Sequence, residues 1–173
     1  LIFSSILPII FSVIFYQAEK KTSFRKITYW QKQLIIGVVF GLLAAISTHL
    51  GIETEGAVIN VRDASPLSAG LIFGGPAGII AGVIGGVERF LASFWGIGQS
   101  THLACSLATL CAGFFAALMK KFIFDSKIPS IFYGLLLGIT TEVFHMLLIY
   151  FTNLTNVYDA FKYIQDCTLS MTL

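Results

Sequence analysis

The sequence predicts an all-α protein: a polytopic membrane bundle with a glycine-rich hairpin of short helices inside it. Three observations carry this. The chain is 56% hydrophobic and only 12% charged, where a soluble domain is roughly a quarter charged, and its mean hydropathy is +0.85. Several apolar runs approach the length of about 20 residues that crosses a bilayer. Glycine recurs at every fourth position through Gly70, Gly74, Gly78, Gly82 and Gly86, a small-residue stripe of the kind that lets helix backbones approach closely in lipid. This composition excludes a disordered tail, a nucleic-acid module and an ordinary soluble enzyme. A net charge of +2 gives no reason to expect a polyanion partner.

Taken in order, residues 1–16 form an apolar run with no basic residue before it and no small-residue cleavage site, so it reads as the end of a helix rather than a signal peptide. Residues 34–51, 102–119 and 130–152 are three further spans. The region 66–94 is apolar but contains Pro76. Basic residues mark cytoplasmic loops. Lys20, Lys21, Arg25, Lys26 and Lys32 place loop 17–32 inside, and Lys120, Lys121 and Lys127 do the same for loop 119–129. Segment 51–65, with Glu53, Glu55 and Asp63, and the tail after 153, with Asp159 and Asp166, fall outside.

An odd number of crossings must therefore separate Asp63 from Lys120. Three satisfy this if 66–75 and 77–94 are separate short helices joined at Gly74-Gly75-Pro76, where glycine accepts unusual dihedrals and proline breaks the helical ladder. The unbroken glycine period argues instead for one kinked helix, and that alternative stays open. Tyr29 and Trp30 on one side, and Trp95 and Tyr150 on the other, suit interfacial belts. The chain opens at Leu1 within one apolar run and stops at Leu173 as another starts. It reads as a single transmembrane domain, 1–173, from a longer protein, with its first and last helices cut.

Ionisable residues in membrane spans are costly and mark function or pairing. Asn60, Arg62, Asp63, Arg89, His102, Glu142 and His145 all fall in the outer half of the expected bundle, which suggests a pocket open to the outside. Each has a plainer reading beside it. Arg62 and Asp63 make either a surface ion pair or a guanidinium fork for a carboxylate or phosphate. Glu88 and Arg89, adjacent on a helix, point about 100° apart and do not pair; Arg89 with Glu142 is the structural alternative. Glu142 and His145 share a face at i,i+3, but a second Glu-x-x-His and an HExxH are lacking, so no metal is expected. His49 reads as interfacial. Cys105, Cys111 and Cys167 contain no CxxC pair and read as small buried residues. No nucleophile elbow, Walker loop or dinucleotide fingerprint is present. Neither catalysis nor a cofactor is expected of this chain.

The ordered set Asn60-Val61-Arg62-Asp63-Ala64-Ser65-Pro66, Gly70, Gly74-Gly75-Pro76, Gly78, Gly82, Gly86 and Arg89 resembles the five-transmembrane receptor domain of the LytS/YhcK type. The resemblance runs over residues 30–173, and 168–173 resembles the start of that family's last helix. It implies a bacterial inner-membrane input domain ahead of a histidine kinase, diguanylate cyclase or phosphatase. It also implies phosphorelay signalling, control of cell-wall turnover, a small ligand such as a carboxylate, and a homodimer. Asn60, Arg62, Gly75-Pro76 and Arg89 are the residues that carry over. The short helix, Gly-Pro turn and glycine helix are also similar to the substrate-binding subunits of energy-coupling-factor vitamin transporters, which makes a transport subunit the alternative function. Either reading places the chain in a lipid bilayer with a small-molecule site on its outer face.

Overall fold

The computed structural model describes residues 2–20, 26–54, 57–152, 158, 161–162 and 164–165. The side chains of 2–5, 53–54 and 57 are outside that description. The main helices among the described residues are α1 (Ile2–Lys20), α2 (Tyr29–His49), α3 (Ala64–Phe73), α4 (Gly75–Ala92), α5 (His102–Phe122) and α6 (Ile131–Thr152). Among the described residues, four stretches are long and apolar enough to cross a membrane: Tyr29–His49, Gly75–Trp95, Gln99–Phe122 and Ile131–Thr152. The expected start at residue 168 of a last helix, together with Cys167, lies outside the described residues.

Helix ends shift from the expected positions for local reasons. α2 begins at Tyr29 rather than 34, because Gln31, Lys32 and Gln33 are good helix formers and the Gln31 side chain accepts the Thr28 N–H at 3.2 Å. α1 likewise runs on to Lys20. The outer segment is not all loop: Ile52–Thr54 (β1) pairs antiparallel with Ala57–Ile59 (β2), in the register Ile52↔Ile59.

The region 66–94 folds as a hairpin, and its turn is tighter than expected. Gly74 alone makes the break, at φ 145° and ψ 154°, a conformation L side chains rarely adopt. Gly75 and Pro76 are the first residues of α4, where proline's missing N–H costs nothing. The single kinked helix is thereby excluded. The glycine stripe survives because the chain folds back on it: a Cβ at Gly78 would lie 2.6 Å from the Gly70 Cα on the opposite arm.

Packing contacts set the directions. Gly37 and Gly41 of α2 meet Ile80 and Ile84 of α4, so these helices run parallel. Gly82 and Gly86 of α4 meet Gly113 and Ser106 of α5, so those run antiparallel. Gln33, Gly74 and Lys120 therefore share one end, which the basic residues mark as cytoplasmic. His49, Glu88 and Gln99 share the other.

α3 is ten residues of helix, with an α-helical first half (Ala64–Ser68) and a π-helical second half (Ala69–Phe73). It reaches the cytoplasmic end because it starts deep. Arg62 and Asp63 bond to Thr109, which is seven residues past His102 and so about 10 Å below the outer end of α5. This corrects the expected position of Arg62 and Asp63 at the outer mouth: the chain dips into the bundle before α3 begins.

Two buried side chains close the hairpin tip. Gln33 donates from Nε2 to the Phe73 carbonyl at 2.9 Å and accepts the Ala77 N–H at Oε1, 3.0 Å. Lys120 Nζ donates to the carbonyls of Leu71 and Ile72 at 2.7 and 3.3 Å. The end of α3 and the start of α4 thus obtain partners for backbone groups that a helix terminus leaves unmade. Gln33→Leu is expected to cost about 2 kcal/mol, the penalty for orphaning buried polar groups, read as a lower midpoint of thermal unfolding in detergent. Phe15, Phe40 and Phe73 pack nearby with ring centroids 5.8 to 6.3 Å apart.

α6 stands apart from this core. Only Leu137, Thr141 and Ile149 of its side chains are buried, and a Cβ at Gly134 or Gly138 would meet nothing within 4 Å.

Candidate functional site

Five of the seven residues singled out in the sequence converge about a third of the way down the bundle. Arg62 is 1% exposed. Its Nε donates to Thr109 Oγ1 at 2.6 Å and its Nη2 to the Cys105 carbonyl at 3.1 Å. Its backbone N–H is held by Asn60 Oδ1 at 3.2 Å. The Thr109 hydroxyl has one proton to give. It lies 2.6 Å from Asp63 Oδ1 and 2.9 Å from the Cys105 carbonyl, and the carboxylate is the stronger acceptor. Thr109 therefore bridges Arg62 to Asp63, whose own Nε to Oδ1 separation is 3.6 Å.

α6 supplies the other wall. His145 Nδ1 faces Asp63 Oδ2 at 3.2 Å and Glu142 Oε2 at 3.9 Å, while His145 Nε2 is 3.3 Å from Cys105 Sγ. The approach to Asp63 has ion-pair distance without hydrogen-bond alignment, so Asp63 Oδ2 still lacks a hydrogen bond. Among the described residues, Arg62 Nη1, Glu142 Oε2, Ser65 Oγ and Asn60 Nδ2 also lack one. Such concentrated unsatisfied polarity in a buried place is unusual and is what a site for a small polar molecule provides.

Arg62 and Asp63 are therefore not a surface pair. Arg89, 0% exposed, does not pair with Glu142. Its Nη1 and Nη2 donate to the carbonyls of Ile97 and Gly98 at 2.9 and 2.7 Å, clamping the loop between α4 and α5, and among the described residues Arg89 Nε has no hydrogen bond. His102 sits further out, its Nδ1 2.6 Å from the Gln99 carbonyl and its ring 5.7 Å from that of Phe90. His49 pairs with Glu88 at 2.9 Å rather than simply facing the interface. No group of His, Cys, Asp and Glu fit to hold a metal ion occurs among the described residues.

Residues 16–173 match the family described as 5TMR of 5TMR-LYT. The chain belongs to this family. Among curated proteins, this 5TMR-LYT domain is similar to sensor histidine kinase YpdA of Escherichia coli strain K12, 33% identical over 119 residues, 67% of this chain and 20% of that protein. It is also similar to sensor histidine kinase BtsS of the same strain, 24% identical over 110 residues, 63% of this chain and 19% of that protein. The chain thus spans about a fifth of the length of these relatives. No solved structure matches it. The 5TMR-LYT domain is a multi-pass inner-membrane domain of the sensor histidine kinase type.

Sequence reasoning about this domain missed Thr109 and Cys105, which the cluster uses, and Gln33 and Lys120, which hold the hairpin. Thr109 and Cys105 look like ordinary small residues of an apolar helix. Their one signal is the i,i+4 spacing that puts both on the face turned to α3 and α6.

Proposed function

We propose that this domain binds a small anionic ligand, a carboxylate in the first instance, from the outer face, and passes the event to a kinase-type output through α6. The observation that carries this is Arg62 Nη1, a buried cationic donor with no hydrogen bond among the described residues. It lies in a cluster that also holds Asn60, Asp63, Glu142 and His145, with Arg89 closing it and His102 on the outward side. A guanidinium fork suits a carboxylate better than any other side chain does.

α6 meets the rest of the bundle with few buried side chains, yet it carries His145 and Glu142 into the cluster. A ligand that binds more tightly when α6 sits one way than another would shift its position, and only that differential affinity can send a signal. Phosphorelay signalling, a homodimeric receptor and an association with cell-wall turnover belong to this proposal through the family resemblance. The transporter-subunit alternative has no specific observation behind it.

Because Arg62 also holds the fold, Arg62→Ala would confuse binding with stability. Arg62→Lys keeps the charge and removes the fork. Calorimetric titration of the purified domain with acetate, lactate and pyruvate is expected to give binding that Arg62→Lys weakens about tenfold or more. Equal affinity in the variant would remove Arg62 from the site, and no heat from any of the three would remove small monocarboxylates as the ligand class.

A further inference from the structure

A cysteine buried on an apolar helix usually has no polar neighbour and no reactivity. Cys105 is different. It is 3% exposed, and its Sγ lies 3.3 Å from His145 Nε2 and 3.5 Å from Thr101 Oγ1. The other nitrogen of the same imidazole faces Asp63 Oδ2 at 3.2 Å. A neutral imidazole carries one N–H. The Asp63 charge, 3.2 Å from Nδ1, favours the proton on that nitrogen, which leaves Nε2, 3.3 Å from the sulfur, as the base aimed at the thiol. This is the order nucleophile, base, orienting carboxylate that activates nucleophiles elsewhere. It is assembled from three separate elements: α5, α6 and the segment before α3.

Charged groups face the sulfur from three elements. Arg62, from the segment before α3, donates from Nη2 to the Cys105 carbonyl at 3.1 Å, Arg89 of α4 interacts with Cys105 electrostatically, and His145 becomes a cation when it takes the thiol proton. Asp63 and Glu142 lie on the far side of the imidazole, at its Nδ1. Arg62 Nη1, on the guanidinium whose Nη2 donates to the Cys105 carbonyl at 3.1 Å, is a buried N–H donor with no hydrogen bond among the described residues and suits an oxygen acceptor.

We propose that Cys105 is a reactive thiolate and a modification site for very small, soft electrophiles of the hydroperoxide class. Burial excludes bulky reagents, and the free guanidinium N–H selects an oxygen-bearing one. In the step, the thiolate sulfur attacks one peroxide oxygen. An S–O bond forms, the O–O bond breaks, and the departing hydroxide takes the proton held on His145 Nε2 and leaves as water. Sulfur is oxidised to the sulfenic acid and the peroxide is reduced. The product replaces the Cys105–His145 contact by a larger polar group at the junction of α5 and α6. The reaction uses Arg62 Nη1 free and so belongs to the domain with no carboxylate bound there.

Cys111 provides an internal control. It lies on the same helix, is half-buried and therefore more accessible, and no hydrogen bond to it is found among the described residues. The full chain, purified in detergent, is treated with hydrogen peroxide. Sulfenic acid is then trapped with dimedone and located by peptide mass spectrometry. Accessibility alone predicts faster labelling at Cys111. The activated thiolate predicts labelling at Cys105 at least about tenfold faster than at Cys111, and a loss of about tenfold or more in His145→Gln with Cys111 unchanged, the scale on which a positioned base acts.

A second measurement on the unaltered chain covers the case in which His145→Gln fails to fold. The Cys105 rate should be nearly flat between about pH 6 and 8, whereas that of an ordinary thiol, titrating near pH 8.5, climbs with pH. Faster labelling at Cys111 than at Cys105, an unchanged Cys105 rate in a folded His145→Gln variant, or a Cys105 rate that climbs with pH like that of Cys111 would each overturn the proposal.

Discussion

Gly113→Leu is expected to leave no stable bundle. Gly113 sits where α5 crosses α4. A Cβ there would run into the Gly78 carbonyl oxygen and lie 3.2 Å from the Gly82 Cα. Both obstacles are backbone, so no rotamer change relieves the overlap, and the two helices must separate. Separation is felt along their whole length, since the same interface carries the Gly86 contact with Ser106 at one end and the Gly75 contact with Ala117 at the other. Overpacking a close-packed interior usually costs about 1 to 3 kcal/mol; with helix backbone on both sides the loss should exceed about 3 kcal/mol. Gly134→Leu on α6 is the control, because a Cβ there meets nothing within 4 Å. Thermal unfolding in detergent, with the elution profile on size exclusion, should show Gly113→Leu aggregated and Gly134→Leu close to the parent. Similar melting of the two variants would show that α4 and α5 do not pack as described.

Asp63→Ala should be nearly as damaging, for an electrostatic reason. Asp63 is the carboxylate between Arg62, Thr109 and His145. Arginine stays charged under all ordinary conditions, so loss of the Asp63 carboxylate leaves a buried cation and a histidine without the anion that both of them face. Removing one partner of a buried pair typically costs about 3 to 5 kcal/mol, whereas replacing both by apolar groups often costs little. The double variant Arg62→Met, Asp63→Leu should therefore be more stable than Asp63→Ala alone. A double-mutant cycle built on unfolding midpoints reads the coupling. A double variant less stable than the single one would show that the Arg62–Asp63 pair is not the source of the effect.

The same pair shows what could be read before the fold was known. Arg62, Asp63, Glu142 and His145 were visible as costly groups in an apolar chain, since charge in lipid is expensive wherever it lies. Their depth was not visible. The expectation placed Arg62 and Asp63 at the outer mouth, while the chain in fact carries them about 10 Å inward to Thr109. A short helix of ten residues reaches the cytoplasmic end only because of that descent.

Composition, hydropathy and loop charge determined the class of molecule: helical, in a membrane, with Lys120 and Asp63 on opposite sides of an odd number of crossings. These properties follow from solvation, which each segment feels separately. The ordered set from Asn60 to Arg89 also pointed to the family that residues 16–173 match. Tertiary structure alone decided who meets whom. The equal spacing of Gly70, Gly74 and Gly78 suits a straight helix as well as a folded one, and it is the packing of α2 and α5 around Gly74 that selects the hairpin. Cys105 and His145, forty residues apart, had no signal linking them. A contact between helices depends on how both are rotated and tilted, and that is set by the summed packing of every other side chain rather than by the two residues themselves.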